Sequence, residues 1–261
     1  MELFERWLSR HGKAYASLHE KLRRFEVFKD NLKHIDETNR RLKEADNDGR
    51  RRFMYEDVVS RLPKAVDWRK KGAVTEVKDQ GQCGINQIVT GNLTALSEQE
   101  LIDCATDGNN GCNGGLMDNA FRYIAANGGL HTEEAYPYLM EEGTCDRHKK
   151  KKKKKRDDEG NVANNEQALL KALAHQPVSV AIEASGRDLQ FYSGGVFDGP
   201  CGTDLDHGVA AVGYGADYII VKNSWGPHWG EKGYIRIKRG TAKREGLCGI
   251  NKMASYPTKK H

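Results

Sequence analysis

The sequence contains no run of eighteen apolar residues, the length that a membrane-spanning helix requires, so no membrane span is predicted. It also lacks a signal peptide, because residues 1–5 are not a basic start followed by an apolar stretch of about 7 to 15 residues. Its cysteines and histidines form no Cys-x-x-Cys or Cys/His cluster, which argues against a zinc site. We therefore expect no metal and no cofactor.

Positive and negative charges nearly balance outside a single run of lysines. The formal net charge of the 261-residue chain is +5, and it falls to about −2 without the seven consecutive lysines Lys149 to Lys155. Such a run can bind nucleic acid or anionic membrane, but no aromatic side chains are interleaved with it. We interpret it as a solvated loop and expect no nucleic-acid partner. The 38% hydrophobic content is enough for a buried core in at most two domains.

The number of cysteines is even, which favours a disulfide framework from an oxidising compartment. The alternative is a cytosolic protein with free thiols. On the first interpretation, the absent signal peptide indicates a truncated start. Six cysteines can pair in 15 ways, so their connectivity stays open at this point. They are Cys83, Cys104, Cys112, Cys145, Cys201 and Cys248.

The first part of the chain, residues 3–44, has dense charges and apolar residues at helical spacing, which predicts a helical segment. Six of its residues are separated by 4, 4, 3, 4 and 4 positions and so lie along one stripe of a helix. A polar, arginine-rich stretch, 46–52, follows and is interpreted as a linker. The six stripe residues are Glu20, Arg24, Phe28, Asn31, Ile35 and Asn39.

From Leu62 onward the sequence is typical of a glycine-rich protein with both helices and strands. Ser97 and Glu100 form the pattern of a capping box at the start of the first predicted helix. Helices come first and strands later, which predicts a helical part followed by a β part. The predicted helices are 97–104, 117–126 and 165–175, and the predicted strands are 178–182, 208–214, 218–222 and 234–238.

Three motifs in this region carry a resemblance. Leu-Pro-Lys-Ala-Val-Asp-Trp-Arg stands at 62–69, Gln-Gly-Gln-Cys-Gly at 80–84 and Asn-Gly-Cys-Asn-Gly-Gly at 110–115. With the N-terminal stripe, they resemble a papain-like cysteine peptidase of plant type with an inhibitory propeptide. The resemblance implies an α+β fold with a helical lobe, a β-barrel-like lobe and a cleft between them for a peptide or protein substrate. It implies a truncated propeptide over 1–61 and a peptidase domain with internal deletions over 62–261.

The resemblance also assigns chemical roles. Thiol-dependent peptide hydrolysis needs a thiolate, an imidazole, a group that orients the imidazole and donors for the oxyanion. His207 corresponds to the imidazole, Asn223 to the orienting amide and Gln80 to a side-chain oxyanion donor. Trp225 would shield the hydrogen bond between the first two from water. The residues that correspond to the substrate-binding cleft are Gly114, Gly115, Leu116, Met117, Ala181, Gly208, Trp225 and Met253. Plain core packing is the alternative for the apolar ones.

The nucleophile has no counterpart. In the family, Ser-Cys-Trp should follow Gly84 and open a long helix, whereas Ile-Asn-Gln follows here. Cys83 is a weak candidate for the role, because it would need an adjacent imidazolium and a helix start to lower its pKa. The resemblance further implies the disulfides Cys83–Cys112, Cys104–Cys145 and Cys201–Cys248, which leave no thiol over.

Further breaks in the resemblance are expected at 40–55 and at 148–160, where the family has a second propeptide motif and a strand with an extended link. They suggest a degenerate gene, a spliced variant or a faulty gene model. Three interpretations stay open: an endopeptidase whose catalytic segment is missing from this sequence, a pseudoenzyme that binds peptides or peptidases, and a product that does not fold stably. By resemblance we expect a monomer, located outside the cell or in a vacuole or lysosome, with its own propeptide as a partner.

Overall fold

The computed structural model describes residues 4–6, 8, 15, 17–26, 28–29, 53–55, 62–80, 95–146 and 158–258, and every structural statement below concerns these residues. The chain divides into two compact units, Met1–Arg51 and Arg52–His261. The boundary expected between propeptide and peptidase, at residues 61 and 62, lies within the second unit.

The first unit is mainly helical in its described residues, with helical positions at 4–6, 8, 18–26 and 28–29. A bend at Ser17 precedes the second helical stretch, and its Oγ accepts a hydrogen bond from the Glu20 N–H at 3.1 Å, as a helix cap does. Phe4 is 1% exposed, and its ring centroid lies 5.4 Å from that of Phe25 and 5.1 Å from that of Phe28. The helical segment expected over 3–44 is therefore interrupted before residue 18.

Half of the expected helical stripe falls in the described residues. Glu20, Arg24 and Phe28 all occupy helical positions. Arg24 and Glu20 form an ion pair of 3.9 Å, and because both side chains are exposed it contributes little to stability. The other members, Asn31, Ile35 and Asn39, and the linker 46–52 lie outside the described residues.

The described part of the second unit contains four α-helices: α1 (Glu98–Cys104), α2 (Met117–Ala126), α3 (Glu166–His175) and α4 (Arg187–Gln190). Side-chain caps begin two of them, which is why the sequence marked their starts. Ser97 Oγ accepts from the Glu100 N–H at 2.9 Å, and Asn165 Oδ1 accepts from the Ala168 N–H at 2.8 Å. The three predicted helices are confirmed to within one residue, whereas the short α4 was not predicted.

The capping box expected at the start of α1 is only half formed. The Ser97 side chain caps the helix, but its own N–H donates to the backbone oxygen of His131 at 3.0 Å. The Glu100 carboxylate instead accepts from the His131 N–H and lies 2.7 Å from Nδ1 of that ring, with both side chains buried. A tertiary contact thus takes the side chain that the local pattern assigned to the cap.

Eight β-strands of the described residues form one sheet. They are β1 Val66–Asp67, β2 Asp158–Asn161, β3 Val178–Ile182, β4 Val196–Phe197, β5 His207–Tyr214, β6 Tyr218–Lys222, β7 Tyr234–Lys238 and β8 Ala254–Thr258. All pairs are antiparallel except the parallel pair of β4 and β7. The four predicted strands are confirmed as β3, β5, β6 and β7. Along the sheet the strands lie in the order β2-β8-β3-β5-β6-β7-β4, and β1 also pairs with β5.

Strand β2 overlaps the range 148–160, where a break in the resemblance is expected, because its first three residues lie inside that range. It pairs with β8 from Asp158 opposite Thr258 to Asn161 opposite Ser255. The sequence Asp-Glu-Gly-Asn has no apolar alternation and no β-branched residue, so nothing in its pattern indicated a strand. Backbone pairing with β8 defines it. Residues 147–157, which include the lysine run, lie outside the described part.

Two larger hydrophobic cores and a small cluster of Ala210, Val212 and Ile220 lie in the described part of the second unit. The larger one lies between the sheet and helices α3 and α4, and its most buried members include Leu169, Leu173, Val180, Val221 and Ile237. The smaller one is built on α1 and α2 and also contains Ala181 of β3. The helical part and the sheet therefore meet at β3, giving the α+β architecture that was predicted. No helix in the described ranges is long and apolar enough to cross a bilayer.

Two disulfides of the second unit join cysteines that are both among the described residues. Cys104 at the end of α1 is bonded to Cys145, and Cys201 is bonded to Cys248 in the 3-10 helix Leu247–Gly249. Cys112 is disulfide-bonded as well, and its expected partner Cys83 lies outside the described residues. No cysteine of the described ranges is free.

Candidate active site

An imidazole and an amide meet where strand β5 begins and strand β6 ends. His207 is the first residue of β5, and Asn223 directly follows β6, its antiparallel neighbour. His207 Nε2 lies 2.7 Å from Asn223 Oδ1, which also accepts the Ser224 N–H at 2.8 Å. Because an amide oxygen only accepts, Nε2 of the imidazole carries the proton, and Nδ1 is the nitrogen left for chemistry.

Trp225 covers this pair. Its ring stacks on that of His207 with a centroid distance of 5.0 Å and an interplanar angle of 26°. Trp229 meets Trp225 edge-on at 5.0 Å and is held by its indole N–H, which donates to the backbone oxygen of Gln190 at 2.9 Å. Asn223 is 3% exposed. The geometry therefore places a low-dielectric cover over the hydrogen bond, which strengthens it.

Burial lowers the pKa of the His207 imidazole below its ordinary value, and two neighbours partly oppose that effect. One is the hydrogen bond to Asn223, and the other is the negative charge of Asp206. Asp206 is itself fixed, because its carboxylate accepts the Ala184 N–H at 2.6 Å. The sequence argument did not single out Asp206, although its position directly before the histidine was a usable signal.

Gln80 is fastened to the same loop. Its N–H donates to the backbone oxygen of Ser224 at 2.9 Å, and its side-chain oxygen accepts from the Ser224 hydroxyl. The Tyr138 hydroxyl donates to the backbone oxygen of Gln80 at 2.7 Å. With the amide oxygen engaged, the NH₂ group of Gln80 is the part that can donate to an oxyanion. Ser224 thus links the Gln80 side chain to the Asn223 amide, a role that the sequence did not reveal.

The segment before Gln80 is tied to the helical part by a partly buried charge cluster. Lys78 Nζ lies 2.5 Å from a Glu98 carboxylate oxygen and 2.9 Å from one of Glu133. Burial opposes the lysine charge, but these carboxylates raise the Lys78 pKa above its ordinary value. Burial also raises the pKa of Glu98. The cluster joins Lys78 to Glu98 of α1, and its members are too far apart in sequence to form a motif.

The expected substrate-binding residues fall into two groups, and the first precedes α2. Gly114 has a φ of +107°, a backbone conformation that side chains rarely adopt. A Cβ atom on Gly115 would overlap the Asn109 side chain, whose Oδ1 accepts the Leu116 N–H at 2.8 Å. Glycine is therefore required at both positions by local geometry, and backbone is left accessible there.

The second group is apolar. Met117 and Ala181 belong to the smaller core, and Met253 packs against it, together with Leu205, which was not predicted. The Ala181 N–H donates to the backbone oxygen of Met253 at 3.0 Å, and Ala181 lies opposite Gly208 in the pairing of β3 with β5. The fold thus brings these residues of α2, β3, β5 and the start of β8 together beside the strand that carries His207.

Cys83 and the positions on both sides of the expected deletion lie in 81–94, outside the described residues. Within the described ranges, no three His, Cys, Asp or Glu side chains form a cluster that could hold a metal ion. The described residues therefore bring three features to the site: an oriented imidazole, an amide donor and an apolar wall.

Two family models match this chain. The model for papain family cysteine protease matches residues 62–258, and that for the cathepsin propeptide inhibitor domain (I29) matches residues 4–51. The chain belongs to the papain family of cysteine proteases. The expected resemblance and the presence of a propeptide domain are thereby confirmed.

Plant cysteine proteases are among the relatives of this chain. The cysteine protease XCP2 of Arabidopsis thaliana is 60% identical over 308 aligned positions, which cover 99% of this chain and 86% of that protein. Vignain of Ricinus communis is 50% identical over 310 positions, with coverage of 99% and 86%. Since this chain has only 261 residues, at least 47 positions of the first alignment have no residue of it opposite.

Solved structures support the same fold. The Carica candamarcensis cysteine protease CMS1MS2, solved in complex with E-64, is 48% identical, with a TM-score of 0.72 and coverage of 77% of this chain and 100% of that one. The proform of Amb a 11, a ragweed pollen cysteine protease, is 39% identical, with a TM-score of 0.75 and coverage of 100% and 95%. The papain-like α+β fold is therefore confirmed for this papain-family chain.

Proposed function

We propose that this chain is a papain-like cysteine endopeptidase homologue which, in the form printed, does not hydrolyse peptides. The observation that carries the proposal is an oriented His207–Asn223 pair with no thiol available to it among the described residues. In thiol-dependent hydrolysis the thiolate attacks the peptide carbonyl and forms the acyl intermediate, whereas the imidazole acts as its base and acid. The protein thus has the frame for catalysis without the atom that begins it.

Each retained group has a defined role if a thiolate is supplied. Asn223 holds the proton on Nε2, so that Nδ1 of His207 accepts the thiol proton and later returns it to the leaving amine. The Gln80 NH₂ donates to the oxyanion of the tetrahedral intermediate. Trp225 keeps water from the His207–Asn223 bond.

The missing nucleophile is supported by the sequence. Gly84 is followed by Ile-Asn-Gln rather than by the Ser-Cys-Trp that the family resemblance leads us to expect there. Cys83 is the remaining candidate. It is expected to be bonded to Cys112, which is disulfide-bonded in the structure, so the thiolate it would need is not formed.

A second candidate function is peptide binding without cleavage. It is favoured by the apolar cluster of Met117, Ala181 and Met253 beside the glycines Gly114 and Gly115. Glycine backbone accepts an extended peptide at close range, and the cluster suits a bulky apolar side chain. Such a pseudoenzyme would capture peptides or peptidases in its cleft.

The location and assembly are also proposals. Disulfides persist in oxidising compartments, so the bonds Cys104–Cys145 and Cys201–Cys248 support a site outside the cell or in a vacuole or lysosome. We propose that the protein is a monomer there, with its own propeptide as an intramolecular partner. Light scattering coupled to gel filtration tests the assembly, and a mass of two chains contradicts it.

The activity proposal is tested on the full chain with a thiol-directed epoxide and a fluorogenic dipeptide at mildly acidic pH, after removal of the propeptide by limited proteolysis. We expect neither adduct nor turnover. Cys83→Ser with Cys112→Ser is the matched control, because it removes the remaining candidate thiol together with its expected disulfide partner and leaves no new thiol. An adduct on Cys83 together with turnover that this double variant abolishes would overturn the proposal. A dissociation constant for the uncleaved dipeptide from the same samples tests the binding alternative.

A further inference from the structure

A short segment at the start of the second unit, outside both matched family regions, packs closely against the rest of that unit. Those regions end at residue 51 and begin again at residue 62, whereas the segment is Phe53-Met54-Tyr55. Phe53 and Tyr55 pack against the larger core, and Met54 between them is 51% exposed. Two aromatic side chains thus anchor the segment, and the residue between them faces solvent.

Tyr55 is recognised at both ends of its side chain. Its ring stacks on that of His175, the last residue of α3, with a centroid distance of 4.5 Å and an interplanar angle of 4°. Its hydroxyl accepts from the Gln176 Nε2 at 2.8 Å. Stacking selects an aromatic ring, and the amide selects a ring that carries a hydroxyl.

Tyr256 of β8 forms the floor beneath both anchors. Its side chain is fully buried, and its ring centroid lies 5.3 Å from that of Tyr55 and 6.3 Å from that of Phe53. The Tyr256 hydroxyl accepts the backbone N–H of Met54 at 3.1 Å. The segment therefore satisfies a buried hydroxyl that would cost stability if left without a partner.

We propose that Tyr256, His175 and Gln176 form a peptide-binding site, which we term the aromatic seat. Its occupant is the segment Phe53–Tyr55, and it keeps this segment bound after the chain is cut between Tyr55 and Leu62. Its ligand class is a short peptide with two aromatic side chains two positions apart, the second bearing a hydroxyl. The seat uses none of the groups assigned to catalysis, so it is independent of the proposed function.

The chain beyond such a cut is fastened separately. The Tyr214 hydroxyl donates to the backbone oxygen of Pro63 at 3.0 Å, and the Trp68 indole N–H donates to that of Leu173 at 2.8 Å. Neither side of the cut therefore relies on the other for its contacts. Cleavage alone should leave the N-terminal fragment in place, so that release becomes a separate step with its own rate.

The test replaces residues 56–61 of the full chain by the recognition sequence of a site-specific protease. After cleavage under native conditions, gel filtration should show the N-terminal fragment eluting with the rest. Phe53→Ala with Tyr55→Ala should raise the dissociation rate about 100-fold, because each of these partly buried aromatic side chains should contribute about a factor of ten. Met54→Ala is the matched control and should leave the rate unchanged, since its side chain is outside the seat.

Two further arms keep the result decisive. Gln176→Ala changes a side chain of the peptidase unit alone and should speed release about tenfold, even if the double variant fails to fold. A free peptide Arg-Phe-Met-Tyr-Glu at millimolar concentration should accelerate release, whereas Arg-Ala-Met-Ala-Glu should not. The proposal is overturned if the intact segment is released at once, or if the substituted and unsubstituted fragments are retained equally. Equal retention would mean that other contacts hold the fragment.

Discussion

Removing the disulfide between Cys201 and Cys248 should destabilise the β part of this chain by about 4 kcal/mol. The two cysteines are 47 positions apart, and closing a loop of that length removes about this much conformational free energy from the unfolded chain in the loop-entropy treatment. Since domains of this size have total stabilities of about 5 to 15 kcal/mol, the loss is large. Alanine at position 248 keeps the left-handed φ of +56° that cysteine adopts there, so the double alanine variant isolates the cross-link.

The assay is urea unfolding of the full chain followed by tryptophan fluorescence, because Trp68, Trp225 and Trp229 all pack against the larger core. Cys104→Ala with Cys145→Ala is the matched comparison, since its separation of 41 positions predicts nearly the same entropy. Non-reducing peptide mapping supplies the second readout. A change below about 1 kcal/mol for the Cys201 and Cys248 pair, or a free Cys201 thiol in folded protein, would refute the reasoning.

Three more outcomes are expected. Burial lowers the pKa of His207 in the folded protein, so protonation of this side chain favours the unfolded chain. Stability that is present above about pH 6.5 is therefore lost as the pH falls. Between pH 7 and 5 the wild type should lose more free energy of unfolding than His207→Gln, and equal losses would contradict this. Burial lowers the pKa of Lys222 to about 8. The free energy of unfolding of the wild type, measured relative to that of Lys222→Met, should therefore rise by roughly 2 to 3 kcal/mol between pH 8 and 10.5. A difference between the two proteins that does not change with pH would contradict this. In a chain with the catalytic segment restored, Ser224→Ala should lower kcat about 10-fold with KM unchanged, because Gln80 loses the hydroxyl that orients it; a change in KM alone would assign Ser224 to substrate binding.

Elements with strong local signals could be predicted from the sequence. Helix α2 has an apolar face and is followed by Asn127, and α3 begins at the capping side chain of Asn165. Strands β5 and β6 are apolar runs between glycine turns. In each case the local spacing and the packing of the final fold favour the same structure, so periodicity was sufficient.

Elements defined by distant contacts could not be predicted. Strand β2 has a polar sequence and exists because β8 pairs with it. Glu100 leaves its expected cap for His131, 31 positions away, because that contact is buried. The hydrogen bond from Met54 to Tyr256 joins residues 202 positions apart. Neither propensity nor spacing carries such information.

The candidate site shows the same division. The positions of His207, Asn223 and Gln80 followed from motifs whose order matches the family. Their supports, Ser224 and Tyr138, came only from the structure, because they act through hydrogen bonds rather than a motif. A motif thus locates the side chains that are proposed to take part in the reaction, whereas the residues that orient these side chains are defined by the whole fold.

The central claim is that this chain retains the oriented imidazole but lacks the nucleophile. The most direct measurement is the intact mass of two chains after treatment with a thiol-directed epoxide: the chain as printed, and one with Ser-Cys-Trp and the helix of a relative inserted after Gly84. We predict no adduct on the first, one adduct on the second and loss of that adduct with His207→Ala in the second. An adduct on the printed chain, or folded restored protein that stays unlabelled, would contradict the account.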